Sequence, residues 1–177
     1  MKLDDRLSRY LGKEPKVGAR VFIAPNVTLV GDVQIGDFSS VWYGSVLRGD
    51  INQISVGLGT NLQDGVVGHV SDDQGLTIGD YVTVGHGAIL HACTIGNECL
   101  IGMRSVIMDG AMIGSHSIIA AGAIVPSGMM IPEASLVVGL PAIVKRGLSE
   151  KETQKLKGWA DKYIEVAKAH QNLSENM

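Results

Sequence analysis

A period of six residues runs through most of this chain, and it restricts the available folds more than any other feature. From Ile95 onward every sixth residue is aliphatic over nine consecutive positions, the last being Ile143. The same spacing occurs earlier in shifted registers, at Val17, Ile23, Leu29, Ile35, Val41 and Leu47, at Val56 and Leu62, and at Ile78, Val84 and Leu90. A β-sandwich of short strands would instead place turn signals about every 8–12 residues. The fixed period therefore predicts a solenoid of hexapeptide repeats.

Each hexapeptide is expected to supply one short strand and one corner of this solenoid. The aliphatic residue points inward, and strands of successive coils stack in parallel about 4.8 Å apart, so that equivalent inward positions form columns. Glycine or alanine often follows the aliphatic residue, and we expect glycine to supply the unusual backbone angles of the corners. A core of this kind explains why the chain has 23 glycines but only 5% aromatic residues.

The repeat predicts a β-helix domain over residues 1–147, which includes an N-terminal lead-in of undefined form. After it, Ser149 and Glu152 have the spacing of a capping box, which marks the start of a helix. Apolar residues then recur at helical spacing, at Leu156, Trp159, Ala160, Tyr163, Ile164 and Ala167. We therefore expect one C-terminal α-helix over residues 148–171, packed along the outside of the solenoid, and a frayed tail over residues 172–177.

The charge balance and the hydropathy argue against several classes of partner. The net charge is −3 and the pI is about 5.9, so no basic surface for nucleic acid is expected. No apolar run reaches the roughly 18 residues of a membrane helix, and no secretory signal is recognisable at the N-terminus. Cys93 and Cys99 are too few for a disulfide framework and are expected to be small buried residues. These features predict a cytoplasmic protein without membrane partners.

Three histidines occupy informative positions in the repeat. His69 and His91 each take the second place of their hexapeptides, which are assigned to the same face in successive coils, so the two side chains should stack. His86 is the third residue of a hexapeptide on the adjoining face, from which it cannot easily reach the same metal ion within one chain. It could reach a metal ion held by a neighbouring protomer, which predicts a cyclic trimer with three interfacial sites. A three-histidine site that leaves a fourth position for water is the pattern of catalytic zinc. Three unconnected surface histidines, or a metal ion that only joins the subunits, explain the same spacing.

Two segments accompany these histidines, Trp42-Tyr43-Gly44-Ser45-Val46-Leu47-Arg48-Gly49-Asp50 and Asn61-Leu62-Gln63-Asp64-Gly65. Together they resemble the γ-class carbonic anhydrase family, most closely its compact bacterial branch, in which some proteins are named acetyltransferases or ferripyochelin-binding proteins. The resemblance covers residues 10–170 and implies a left-handed parallel β-helix and a homotrimer. It also implies zinc, or Fe²⁺ or Co²⁺ in its place, bound by His69, His86 and His91. The implied reaction is attack of a metal hydroxide on CO2 to give bicarbonate.

The resemblance also implies roles for side chains around the metal ion. The residues concerned are Arg48, Asp50, Asn61, Gln63, Asp64 and Tyr163. Arg48 and Asp50 match a pair that bridges subunits, which we favour over the alternative of a solvated ion pair on one strand. Gln63 matches a glutamine whose amide donates to the hydroxide while its oxygen is held elsewhere, and Asn61 matches the residue that orients it. Asp64 matches the neighbouring acid, although Asn and Asp also favour plain corner turns. Tyr163 matches a tyrosine near the metal ion, but ordinary helix packing explains it equally well.

Two departures from the family pattern concern proton transfer. Ile51 stands where well-studied members carry a glutamate, and the loop that bears their proton-shuttling glutamate is short here, over residues 70–75. Asp72 or Asp73 is the candidate relay in that loop, although a short loop of Asp, Ser and Gly is more often simply solvated. Two other functions therefore stay open: an acyl-CoA transferase or thioesterase, and a non-catalytic metal-binding trimer or binder of an iron complex. His116 and His170 have no assigned role.

Overall fold

Residues 1–174 form a parallel β-solenoid of about seven turns, with one helix before it and two helices after it. The computed structural model describes these residues, together with the side chains of residues 1–172. The helices are α1 (Leu3–Tyr10), α2 (Glu150–Thr153) and α3 (Leu156–Ser174). The strands in chain order are β1 (Lys16–Val17), β2 (Phe22–Ile23), β3 (Thr28–Ile35), β4 (Ser40–Val41), β5 (Val46–Val56), β6 (Asn61–Leu62), β7 (Val67–His69), β8 (Leu76–Ile78), β9 (Thr83–Val84), β10 (Ile89–His91), β11 (Thr94–Ile95), β12 (Leu100–Ile101), β13 (Val106–Ile107), β14 (Met112–Ile113), β15 (Ile118–Ile119), β16 (Ile124–Val125), β17 (Met130–Ile131), β18 (Ser135–Gly139) and β19 (Ala142–Gly147).

Parallel ladders divide the solenoid into three faces. The first face contains β7, β10, β13 and β16, and the second contains β8, β11, β14 and β17. The third face runs from β2 through β4, β6, β9, β12 and β15 to β18. The long strands β3 and β5 pass from the first face to the second, since the start of β5 pairs with β7 and its end pairs with β8. Helix α3 packs against the third face, where it contacts β2, β4 and β6.

Aliphatic columns fill the interior as the period predicts. Leu90, Ile107 and Val125 follow one another on adjacent rungs of the first face, and each is fully buried. Ile101 and Ile119 form an equivalent fully buried pair on the third face. Because neighbouring rungs lie only about 4.8 Å apart, each branched aliphatic side chain packs against other branched aliphatic side chains on the rungs above and below. The predicted hexapeptide solenoid is thus confirmed.

The glycines after the aliphatic positions have a different purpose from the one predicted. Gly102 does not adopt a positive φ, but a Cβ on it would lie 2.4 Å from the backbone nitrogen of Ala121 on the next coil. Such glycines therefore allow close approach of neighbouring backbones. Positive φ angles occur at other corners, including Gly44 (φ 71°) and the non-glycine residues Tyr81 (φ 52°) and His116 (φ 58°).

The two ends of the solenoid differ from the sequence prediction. Val17 is 45% exposed because it lies on the first rung, which has no rung before it. Ile143 is 61% exposed, because β19 turns back to pair antiparallel with β18 and leaves the repeat. The period therefore stops at Val137, one repeat earlier than its aliphatic pattern suggests.

The helices also differ from the single C-terminal helix expected over residues 148–171. The capping box is present at Ser149 and Glu152, but it opens the short α2, and the chain turns at residues 154–155 before α3. Helix α3 continues to Ser174, so residues 172–174 of the predicted frayed tail are helical, and residues 175–177 lie outside the described residues. The lead-in contains α1. No helix within residues 1–174 has the length and apolar character needed to cross a membrane.

Candidate metal centre

Three polar side chains stack on consecutive rungs of the first face. The ladder pairs Arg48 of β5 with His69 of β7, and His69 with His91 of β10. The inward neighbours Leu47 and Leu90 are fully buried, so the adjacent histidine and arginine side chains point outward. The predicted stacking of His69 on His91 is therefore confirmed.

The two stacked imidazoles direct one nitrogen each toward the other. His69 Nδ1 and His91 Nε2 lie 3.1 Å apart. The outer nitrogens face carboxylates: His69 Nε2 is 3.1 Å from Asp50 Oδ1, and His91 Nδ1 is 2.6 Å from Asp109 Oδ1. An ionised carboxylate only accepts hydrogen bonds, so each outer nitrogen donates its N–H. In neutral imidazoles both inner nitrogens then carry lone pairs, across a gap of 3.1 Å.

This donor set fits a metal ion such as zinc. Two nitrogens 3.1 Å apart, each at the usual zinc–nitrogen distance of about 2.0–2.1 Å, would enclose an angle of about 100° at the ion, close to tetrahedral. Carboxylates on the outer nitrogens are the usual second partners of metal-binding histidines. Burial lowers the pKa of His69, which favours the neutral form that a metal ion requires.

Arg48 and Asp50 lie on the same side of β5, and their side chains form an ion pair with Nη1 and Oδ2 2.5 Å apart. Burial opposes ionisation of Asp50, but hydrogen bonds from Arg48 and His69 outweigh it and hold the pKa of the carboxyl below its usual value. Asp50 therefore connects the arginine to the histidine stack. A solvated ion pair, the alternative considered from the sequence, does not account for the contact between Asp50 and His69.

The remaining predicted residues gather around the third face. His86 follows β9 at a corner, and its Nδ1 lies 2.8 Å from Asp64 Oδ2. Gln63 Nε2 donates to Asn61 Oδ1 at 3.2 Å, and Asn61 Nδ2 donates to Thr83 Oγ1 at 2.9 Å. The sequence predicted that the glutamine would be held through its side-chain oxygen, but the structure holds it through its amide nitrogen. The second N–H of that nitrogen is left for another acceptor.

Within residues 1–174 of a single chain, no group of three or more His, Cys, Asp or Glu side chains is arranged to hold a metal ion. His69 and His91 are on the first face, whereas His86 is beside the third. The structure therefore brings together two of the three predicted ligands in one chain and leaves the third apart, as the face assignment predicted.

A cavity of about 640 Å³ adjoins His86 between the third face and α3. Gln63, Asp64 and His86 line it with many apolar residues, among them Leu100 and Ile118. The cavity gives the polar residues of the third face an apolar, partly enclosed surrounding.

Tyr163 of α3 reaches this cavity while its ring packs edge-on against Trp42, with 5.5 Å between centroids. Burial and the nearby Asp64 raise its pKa, so the hydroxyl stays protonated. The packing on Trp42 agrees with the helix-packing interpretation of Tyr163, and its predicted place near a metal ion stays a prediction. Trp159 also lines the cavity, on the side of α3 that was predicted to pack, but it stays 49% exposed.

Asp109 and His170 also lie beside the candidate site, and neither was predicted to do so. His170 lines the same cavity and lies 3.2 Å from the Tyr43 hydroxyl through Nδ1. Asp109 follows His91 by 18 residues, about one coil of the solenoid. An acidic residue one coil beyond a candidate ligand was therefore the signal that could have identified it.

The candidate proton-relay residues are next to the N-terminal helix. Asp73 Oδ1 is 3.5 Å from Arg6 Nη2, and Asp72 Oδ1 is 4.0 Å from Arg6 Nε. Ile51, which replaces the expected glutamate, packs partly buried against the core. Neither Asp72 nor Asp73 contacts the histidine stack directly.

Comparison with known proteins agrees with the hexapeptide repeat. A model described as bacterial transferase hexapeptide (six repeats) matches residues 14–49 and 92–127. The unmatched part between them, residues 50–91, contains all three histidines. The chain is 43% identical to a carbonic anhydrase of Geobacillus kaustophilus, over 94% of this chain and 91% of the relative.

A mitochondrial protein of Arabidopsis thaliana, gamma carbonic anhydrase 2, is 40% identical over 99% of this chain, which spans 66% of the relative's length. Among solved structures, a Bacillus cereus protein provisionally assigned as an acetyltransferase has a TM-score of 0.89 and 40% identity, with 92% of this chain and 94% of that chain covered. The repeat and this neighbour fit a left-handed parallel β-helix.

Proposed function

We propose that this chain, which belongs to the γ-class carbonic anhydrase family, hydrates CO2 to bicarbonate at a metal site shared between neighbouring subunits of a homotrimer. The observation that carries the proposal is the pair of inner nitrogens, 3.1 Å apart, on imidazoles whose outer nitrogens are held by Asp50 and Asp109. Two aligned donors leave room for a third imidazole, and His86 is the remaining candidate. Zinc is the proposed ion because three histidines and an open position suit its catalytic geometry.

The exposed surfaces support a ring of three subunits. Val67 and Ile89 form an outward apolar column beside the histidine stack, and they are 38% and 43% exposed in the single chain. The cavity beside His86 presents a second apolar surface on another face. When two different faces of one chain fit each other, the contact is head-to-tail, and such contacts close into a ring if the rotation permits. Three copies would then form three equivalent sites, each with His69 and His91 from one subunit and His86 from the next.

The chain's residues have separable tasks in this reaction. A zinc ion held by His69, His91 and the partner's His86 would supply a coordinated water with a pKa near 7. Gln63 is fixed by Asn61 through one N–H, so its other N–H can orient the reacting oxygen. The apolar wall that includes Leu100 and Ile118 suits an apolar substrate such as CO2. Tyr163 remains a hydrogen-bond donor because its raised pKa keeps its proton in place.

Subunit complementation tests the shared site. We expect trimers of His86→Ala alone, or of His69→Ala alone, to lose zinc and CO2 hydration. Mixing the two variants by joint refolding combines an intact first face from one chain with an intact His86 from the other. Random mixing of equal amounts makes about a quarter of the interfaces complete, so about a quarter of the hydration rate should return.

The matched control mixes His69→Ala with His91→Ala. Both substitutions affect the same face, so every interface in these mixed trimers has a defective histidine pair and no activity should return. Equal recovery in the two mixtures would refute the shared site. Wild-type trimer that binds zinc but does not hydrate CO2 in a stopped-flow assay would refute the anhydrase function and leave the metal site standing.

An acyl-CoA transferase or thioesterase is the second candidate, favoured by the apolar cavity and by the Bacillus cereus neighbour that is provisionally assigned as an acetyltransferase. Acyl-CoA turnover that persists in His91→Ala would support a metal-independent acyl site. A non-catalytic metal-binding trimer is the third, and it predicts a trimer that dissociates on chelation and has neither activity.

A further inference from the structure

Each of the three candidate ligands has a carboxylate of its own on one ring nitrogen. Asp50 contacts His69, Asp64 contacts His86 and Asp109 contacts His91, at 3.1, 2.8 and 2.6 Å. The last contact is the shortest of the three. Asp109 lies in the corner after β13, one coil beyond β10, so it approaches the imidazole from the side opposite His69.

The effect of Asp109 on His91 follows from imidazole chemistry. A neutral imidazole carries its proton on either Nδ1 or Nε2, and only the other nitrogen can bind a metal ion. A carboxylate at Nδ1 favours the tautomer that has the proton there, which leaves the Nε2 lone pair directed toward His69 Nδ1. Without the carboxylate, the Nε2–H tautomer is free to form, and the ring is free to rotate about its χ2 bond.

We propose that Asp109 is the positioning residue of this site: it fixes the tautomer and ring orientation of His91 so that Nε2 is the metal ligand. Asp109 does not touch the substrate in this scheme. The inference rests on the metal site of the proposed function, but it does not depend on which reaction the metal ion catalyses.

The test uses the purified trimer with zinc ion as the probe. Asp109→Ala removes the acceptor, whereas Asp109→Asn keeps a carbonyl oxygen that can accept the same N–H. Loss of a partner of this kind typically lowers metal affinity about 10–100-fold, and we expect that loss for Asp109→Ala in competition with a chelator. Asp109→Asn should stay within a few-fold of wild type.

A matched control is available on the same solenoid. Glu133 Oε1 lies 2.9 Å from His116 Nδ1 in a similar carboxylate–histidine pair, outside the candidate site. Glu133→Ala should leave zinc affinity unchanged, which separates a local effect from a general loss of carboxylates. Thermal melting of each variant shows whether the trimer is folded at the assay temperature.

A second readout does not involve the metal ion. In ¹⁵N-labelled apoprotein at pH 8, long-range ¹H–¹⁵N spectra distinguish the two tautomers of neutral His91. We expect the Nδ1–H tautomer in wild type and in Asp109→Asn, and a shift toward Nε2–H in Asp109→Ala. An Asp109→Ala trimer that binds zinc within twofold of wild type, or an unchanged His91 tautomer, overturns the inference. A wild type without CO2 hydration overturns only the proposed reaction, because both readouts here are independent of catalysis.

Discussion

Two adjacent residues of β10, Ile89 and Leu90, test whether one side of the first face stabilises the fold and the other side stabilises the trimer. Leu90 is fully buried in the aliphatic column, whereas Ile89 is 43% exposed beside the histidine stack. Their side chains point to opposite sides of the strand. We expect Leu90→Ala to reduce the stability of the fold and Ile89→Ala to reduce the stability of the trimer.

The magnitudes follow from burial. Truncation of a fully buried leucine costs about 2–5 kcal/mol, because it removes apolar contacts and leaves a cavity. Complete burial of an isoleucine contributes about 1.5–3 kcal/mol, so burial of the remaining 43% of Ile89 contributes about 0.6–1.3 kcal/mol at each interface. Over three interfaces, Ile89→Ala should lower the trimer association constant roughly 20- to 700-fold.

Sedimentation equilibrium measures the trimer association constant. Urea unfolding at a protein concentration low enough for the trimer to be dissociated measures the stability of the single chain. Met112→Ala is the matched control, since Met112 has the same 43% exposure but lies on the second face. Ile89→Ala should weaken the trimer while Met112→Ala does not. Equal effects of these two substitutions, or an Ile89→Ala variant with unaltered association, would show that the first face is not the interface.

Two further predictions concern the fold itself. An alanine in a left-handed backbone conformation costs about 1–2 kcal/mol of folding free energy. Gly44→Ala should cost only that amount in chemical denaturation, because no atom lies within 4 Å of its new Cβ. Gly31→Ala, at a similar φ, should cost more, because its new Cβ would lie 2.2 Å from the Gly49 oxygen. A hydrogen bond from Arg146 lowers the pKa of Glu152 from 4.5 to about 2, so its contribution is present above pH 4.5 and is lost as the pH falls toward 2. Wild type should therefore lose more melting temperature over that range than Glu152→Gln, and equal losses would contradict the assigned cause.

The sequence predicts this fold well because the repeat couples local pattern to long-range contact. Once six-residue repeats stack their short strands in parallel, the position of His69 within its hexapeptide determines that it meets His91. The prediction fails where the period is interrupted or where the geometry involves backbone atoms. Leu90 pairs with Ile107, a step of 17 residues rather than 18, so the exact pairing between these coils could not be read from a regular count. The need for glycine at position 102 likewise comes from the close approach of the neighbouring coil's backbone, which the local sequence does not reveal.

A metal site divided between subunits imposes a condition on each chain before assembly. If its imidazoles were free to rotate, association would have to order them as well as join the chains, and the cost of that ordering would weaken both metal binding and assembly. The carboxylates that restrain His69, His86 and His91 all come from the same chain as the histidine they contact. Each subunit can therefore present oriented ligand nitrogens on two different faces by itself. In the proposed trimer, metal binding and association then strengthen each other by the same free energy, because the ion contacts both chains only in the assembled state. The repeat supplies the spacing of the ligands, and the intrachain carboxylates supply the orientation that the repeat alone does not determine.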